Sequence, residues 1–180
     1  TYKSIKPYVL KSGIKFRNVS FSYANDSKKY DIRDLNLTIN KGQVVGIIGK
    51  TGSGKSTFVD LLMGLLKPTK GEILIDENNL YDEKNYKTLS SWRSAISHVP
   101  QDIYLSDNSI EENIAFGENL SQISRIKVKK AAKFAQIESF IANLPEKYGT
   151  YVGERGIRMS GGQRQRIAIA RAIYKNSKIL

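Results

Sequence analysis

Between Ile14 and Tyr23 apolar residues fall at Ile14, Phe16, Val19, Phe21 and Tyr23 with polar residues among them. Alternation of this kind predicts a strand with one face buried. Leu35-Asn36-Leu37-Thr38-Ile39 repeats it, and Asn40-Lys41-Gly42 supplies the turn that ends it. Val44 to Ile48 is a short apolar run, the pattern of a buried strand covered on both faces. After a glycine-rich stretch the period lengthens, and a helix is expected from Thr57 to Leu66, closed by Pro68 and Gly71. Glu72 to Ile75 reads as a short strand, Tyr86 to Ala95 as a helix, and Ile96 to Val99 as a strand stopped by Pro100. From Ser109 to Ala142 the pattern is helical, with apolar positions at Ile110, Ile114, Ile126, Ala131, Phe134, Ile137, Phe140 and Ile141. Gly161 to Ile173 reads as a further helix, and Ile179-Leu180 as the first step of another strand. The mixture predicts an α/β fold with a helical insert, and no internal repeat or low-complexity tract interrupts it.

Composition narrows the class. The 180 residues suit one domain with a real core, and 40% hydrophobic with 26% charged residues is a globular balance. Residues Thr1 to Gly13 have little periodicity and read as a linker, leaving 14–180 as the domain. The absence of cysteine excludes disulfides and thiolate metal sites. No apolar run approaches the ~18 residues of a membrane-spanning helix. The chain starts at Thr1, with no apolar secretory stretch, as a piece of a longer protein would. A net charge of +12 raises nucleic-acid binding, but the lysines are dispersed (Lys28, Lys29, Lys127, Lys129, Lys130, Lys175) and form no dense block alternating with aromatics. A solvated basic surface is therefore expected, with no nucleic-acid partner; an anionic membrane nearby would tolerate it.

The strongest chemical signal is Gly49-Lys50-Thr51-Gly52-Ser53-Gly54-Lys55-Ser56-Thr57, which fits G-x-x-x-x-G-K-[ST]. Glycines at 49, 52 and 54 let the backbone curl and turn successive N–H groups onto phosphate oxygens. The following helix adds its N-terminal partial positive charge. Lys55 is placed to reach the β- and γ-phosphates, and the Ser56 hydroxyl to ligate Mg²⁺. A glycine-rich turn with an accidental Lys-Ser is the alternative, but an apolar strand before and an amphipathic helix after are the context the phosphate loop needs.

A second constellation is Met159-Ser160-Gly161-Gly162-Gln163-Arg164-Gln165-Arg166. Ser160 is a natural N-cap, and the two glycines leave backbone N–H groups bare at a helix start. This run resembles the signature sequence of ABC ATPases, with Met159 where Leu is commoner. With the phosphate loop upstream, the chain from Ile14 onward is identified as resembling the ATP-binding domain of ABC transporters, of the exporter type.

The resemblance implies a P-loop NTPase fold with an antiparallel β subdomain and a helical subdomain at about 102–160, ATP and Mg²⁺ as ligands, and ATPase activity in the intact protein. It gives Tyr23 the role of stacking on adenine, although Phe21 and Tyr30 compete for that face and Tyr23 also suits a half-buried strand aromatic. It gives Gln101, in Val99-Pro100-Gln101-Asp102, contact with Mg²⁺ and the attacking water; a plain turn glutamine is the alternative. Thr150-Tyr151-Val152-Gly153-Glu154-Arg155-Gly156 resembles the exporter loop that meets the coupling helices of a membrane domain, with Glu154, Arg155 and Gly156 as its centre. Ser160, Gly161, Gly162 and Gln163 would close the ATP held by a second such domain in a head-to-tail dimer at the cytoplasmic face of a membrane. The Mg²⁺-linked Asp, the catalytic Glu, the D-loop and the switch histidine of the family follow a strand that Ile179-Leu180 would begin, so these residues alone are expected to bind nucleotide and hydrolyse it poorly. An incomplete parallel sheet would also leave a strand edge uncovered and lower stability. The single histidine, His98, precedes the Gln101 turn and reads as a core or edge residue. Soluble ABC ATPases of DNA repair or translation, and importer ATPases, are the competing readings; the compact interval between the two motifs disfavours the DNA-repair one.

Overall fold

The computed structural model describes residues 5–24, 30–82, 86–154 and 158–180. They divide into two units, 1–96 and 97–180.

The first unit is built on an antiparallel sheet of order β2-β1-β3-β4. Its strands are β1 (Gly13–Phe21), β2 (Ile32–Asn40), β3 (Lys70–Ile75) and the two-residue β4 (Asn78–Asn79). β1 pairs with β2 from Gly13↔Asn40 to Phe21↔Ile32, and with β3 from Ile14↔Ile75 to Ser20↔Lys70. The register slips between Phe16 and Val19, where Asn18 takes φ 49°. Gly71 lies against this bulge at φ +76°, and a Cβ there would collide with the Arg17 and Asn18 carbonyls. Only glycine allows so close a backbone approach. Past the bulge the buried set changes phase, from Ile14 and Phe16 to Val19 and Phe21.

Helices α1 (Lys55–Leu62) and α2 (Tyr86–Ala95) complete this unit. Phe58 of α1 packs on Phe16 with centroids 5.1 Å apart. Trp92 of α2 is fully buried and donates its indole N–H to the Leu62 carbonyl at 2.8 Å, so its one polar atom is satisfied. Residues 5–12 have no regular structure, yet they are tied down. Tyr8 meets Trp92 edge-on at 6.2 Å and its N–H donates to the Ser91 carbonyl. The backbone N–H groups of Lys11, Ser12 and Gly13 donate to the Asp76 carboxylate at 2.8, 2.7 and 3.0 Å. Burial pushes the Asp76 pKa up, but the hydrogen bonds from Ser12, Lys11 and Gly13 outweigh it and bring it down to about 2.

The second unit is helical: α3 (Ile110–Ile114), α4 (Arg125–Phe134), α5 (Glu138–Ala142) and α6 (Gly161–Tyr174), with 3₁₀ turns at Leu120–Gln122 and Lys147–Gly149. Ile110, Ile114, Val128, Ala131, Ile137, Ile141, Val152 and Ile167 form its core. A polar hub lies beside it. Asn113, fully buried, donates to the Ser106 and Ser109 carbonyls at 3.0 Å each and accepts from the Ser106 N–H at 3.0 Å. Arg171 of α6 donates to the Asn113 carbonyl at 2.9 Å, with its guanidinium 4.5 Å from the Phe116 ring centroid.

Four expectations are corrected. Residues 44–48 form no strand, and Val44 and Ile48 are fully exposed. An apolar run becomes a buried strand only where neighbours cover both faces, and among the described residues no strand pairs with it. Ile96 makes an isolated bridge and residues 97–100 carry no strand, so His98 stands exposed instead of in a core or on a strand edge. The step at Ile179-Leu180 amounts to one bridging residue, with the Ile179 carbonyl accepting from the Ser97 N–H at 2.9 Å. Ile126 and Phe134 are exposed, and Val128 and Ala132 take the buried places on α4.

Candidate functional site

In the first unit the glycine loop runs from Gly49 into α1. Gly52 and Gly54 hold φ of +79° and +83°, the left-handed region that side chains disfavour. At Gly54 the space is also limited, because a Cβ would stand 3.0 Å from the Asp31 carbonyl oxygen. Gly54 is the N-cap of α1 and supplies no side-chain hydrogen bond, and no acidic residue stands in the first turn. The first N–H groups of α1 therefore lack the side-chain acceptor that most helix starts carry, and the dipole of the helix points its positive end at the loop. Lys55 folds back and donates its Nζ to the carbonyls of Gly49 at 2.8 Å and Lys50 at 2.7 Å. The ammonium is thus held at the mouth of the loop by weak neutral acceptors, which an anion would readily displace. Thr51 and Ser53 are exposed on the loop, and Ser56 is exposed on the first turn with its hydroxyl open, while Thr57 is buried.

Tyr23 lies beside this helix start. Its hydroxyl is 3.4 Å from Thr57 Oγ1, and its ring meets Phe21 edge-on at 4.9 Å and 87°. Tyr23 as a residue is largely exposed, at 63%, whereas Phe21 is at 7%. Of the three aromatics weighed from the sequence, Phe21 is buried and so offers no face to a ligand. Tyr30 is half-buried, with the Arg33 guanidinium 5.6 Å and the Lys70 ammonium 5.7 Å from its ring centroid. Tyr23 is the one with a free face next to the loop. Asp31, which the sequence reading missed, accepts from the Tyr23 N–H at 3.1 Å. No local pattern flags it, because its partners come from β1 and from the loop.

In the second unit Ser160 caps α6. Its Oγ accepts from the Gln163 N–H at 3.3 Å, and the Gln163 side chain accepts from the Ser160 N–H at 2.8 Å, a reciprocal capping box. Gly161 and Gly162 are exposed behind the cap, and Arg164 anchors the turn by donating to the Met159 carbonyl at 2.8 Å. An open cleft of about 630 Å³ is lined by Gln101, Asp102, Glu154, Gly161, Arg164 and Gln165. Gln101, Glu154 and the start of α6 thus come together in one cleft of this unit, which Ile103 also lines. Arg155 and Gly156 lie outside the described residues.

Known proteins resemble the chain over nearly its whole length. The family described as ABC transporter matches residues 32–180. Human ATP-binding cassette sub-family B member 5 is 44% identical over 175 residues, which is 97% of this chain and 14% of that protein. The ATP-dependent lipid A-core flippase of Acinetobacter baylyi is 41% identical over 171 residues, 95% of this chain and 29% of the flippase. The solved structure of a bacterial Atm1-family ABC exporter with ATP bound matches at a TM-score of 0.82 and 40% identity, covering 97% of this chain and 29% of that one. The chain therefore spans less than a third of the length of these relatives. Among the described residues no helix is long and apolar enough to cross a membrane.

Proposed function

Because this chain belongs to the ABC transporter family, we propose that it is the ATP-binding domain of an ABC exporter, and that ATP held on its glycine loop drives transport through a membrane domain outside these residues. The observation that carries this reading is the start of α1: an N-terminus without a side-chain cap, preceded by left-handed glycines and fronted by the Lys55 ammonium. N–H groups and a cation arranged around one concavity suit a polyphosphate.

In this reading the Lys55 Nζ exchanges the Gly49 and Lys50 carbonyls for β- and γ-phosphate oxygens, and the N–H groups of residues 50–57 take the remaining oxygens. Tyr23 stacks its exposed face on the adenine. A bound Mg²⁺ would neutralise phosphate charge, with the Ser56 hydroxyl as the ligand that the first unit offers it. That hydroxyl is an exposed neutral oxygen, the donor type a hard cation accepts. Ser160, Gly161, Gly162 and Gln163 face the nucleotide of a second copy in a head-to-tail dimer, and the Glu154 segment, with Arg155 and Gly156, contacts the membrane domain. Two such domains closing on ATP and parting after hydrolysis would move that membrane domain from the cytoplasmic side.

The test is a nucleotide titration with and without Mg²⁺ on wild type and Lys55→Ala, with phosphate release followed in the same samples. Micromolar to millimolar ATP binding that Lys55→Ala weakens roughly a hundredfold, with slow turnover by these residues alone, is expected. Absence of ATP binding in a folded sample would overturn the proposal.

A further inference from the structure

The carboxylate of Asp31 joins the two halves of the candidate nucleotide site. β1 and β2 part after the Phe21↔Ile32 pair, so the chain from Ser22 onward leaves the ladder. Tyr23 would then be a strand end with a loose backbone and an exposed ring. Asp31 holds it in three ways. Its own N–H donates to the Phe21 carbonyl at 2.9 Å, which fixes Asp31 against the end of β1. Its carboxylate accepts from the Tyr23 N–H at 3.1 Å, which fixes the backbone that carries the ring. Its carbonyl oxygen packs over Gly54, the cap of α1, so closely that a Cβ there would stand 3.0 Å away. The Tyr23 hydroxyl returns to the same helix at Thr57, 3.4 Å off.

A carboxylate beside a phosphate loop is an electrostatic liability, since it repels the ligand the loop attracts. Its presence here needs a use at the other end of the ligand. We infer that Asp31 is a positioning residue for base recognition, setting the distance and angle between the Tyr23 ring and the glycine loop so that one nucleoside triphosphate spans both. This inference rests on the nucleotide-binding reading, and it adds a residue that touches neither the base nor the phosphates. Holding an aromatic in place before the ligand arrives removes an ordering cost from binding, so the effect falls on ligands that carry a base and spares those that do not.

Two probes separate these cases in titrations of the full chain: ATP, and inorganic tripolyphosphate, which lacks base and ribose. Asp31→Ala should weaken ATP roughly tenfold, comparable to removing a base–aromatic stack through Tyr23→Ala, and leave tripolyphosphate affinity within roughly twofold. Asp31→Asn keeps a side-chain carbonyl as acceptor and should retain most of the ATP affinity. The Tyr23→Ala, Asp31→Ala double variant should bind ATP no more weakly than Tyr23→Ala alone, because both remove one interaction. If Asp31→Ala is unfolded by circular dichroism, the isosteric Asp31→Leu takes its place. Equal loss of ATP and tripolyphosphate would mean general damage and overturn the inference. So would wild-type ATP affinity in the acceptor-less variant while Tyr23→Ala is weakened. Failure of the underlying reading looks different: wild type binds neither probe, or Lys55→Ala binds both unchanged, and the inference falls with it.

Discussion

The starts of α1 and α6 are both rich in glycine, and both suit anions on paper, but they are finished in opposite ways. At α6 the Ser160 and Gln163 side chains cap each other's N–H groups, so the helix start is complete without a ligand. At α1 the cap is Gly54, no side chain accepts, and the nearest cation is parked on two carbonyls. The difference teaches where affinity should reside. On the proposed function, the α1 start is the one that binds without help. The α6 start is a stable edge that offers Gly161 and Gly162 to something brought to it, in keeping with a role against a second copy's nucleotide. A third cluster of N–H groups shows what the loop would look like if the protein supplied its own anion. Around residues 11–13 three N–H groups converge on the Asp76 carboxylate.

The largest effect expected from breaking this contrast comes from Lys55→Ala. Loss of a charge-assisted contact to phosphate should cost about 3 kcal/mol of ATP binding, roughly a hundredfold, with little change in melting temperature. Isothermal titration and thermal unfolding on the same sample read both. Gly54→Ala should follow. It forces a side chain into φ +83° beside the Asp31 carbonyl, costing about 1–2 kcal/mol of stability and distorting the loop, so that urea midpoint and tripolyphosphate affinity fall together. Ser160→Ala should lose about 1 kcal/mol of stability through its cap while ATP affinity of the single chain stays unchanged. A drop in affinity without a drop in stability would reverse the roles assigned to the two helix starts.

The smallest effect concerns the internal anion. Asp76 sits at about 2 in the folded chain against an ordinary 3.8. A depressed folded pKa stabilises fully above the ordinary value, and that stabilisation drains away as pH falls from about 4 towards 2. Asp76→Asn should flatten the acid limb of a stability–pH profile in that window and lower stability near neutrality. An unchanged profile would show that the carboxylate does not hold residues 11–13.

The sequence shows its chemistry more clearly than its packing. The glycine loop and the capped signature turn are local, and their spacing states their backbone needs, so both helices begin within two residues of where the pattern puts them. The alternations of β1 and β2 are equally local. What fails depends on neighbours. Val44 to Ile48 has the apolarity of a buried strand, but composition cannot supply the strands that must cover it, and its side chains stand in solvent. Ile126 and Phe134 are apolar positions in the stretch from Ser109 to Ala142 whose pattern reads as helical. The 3₁₀ turn at Leu120–Gln122 and the left-handed Gln136 (φ 56°) reset the phase, and both side chains face outwards. Asp31 and Asp76 carry no signal in their immediate surroundings, because each takes its meaning from partners on other elements.

Amide hydrogen exchange on the chain, with and without saturating ATP, tests the contrast between the two helix starts most directly. Slowed exchange is expected for residues 50–57 and for Tyr23, with no change for 160–164 while the chain is monomeric. Protection at 160–164 with none at 50–57 would contradict that contrast, and would move the nucleotide site to the helix start that the structure shows already capped.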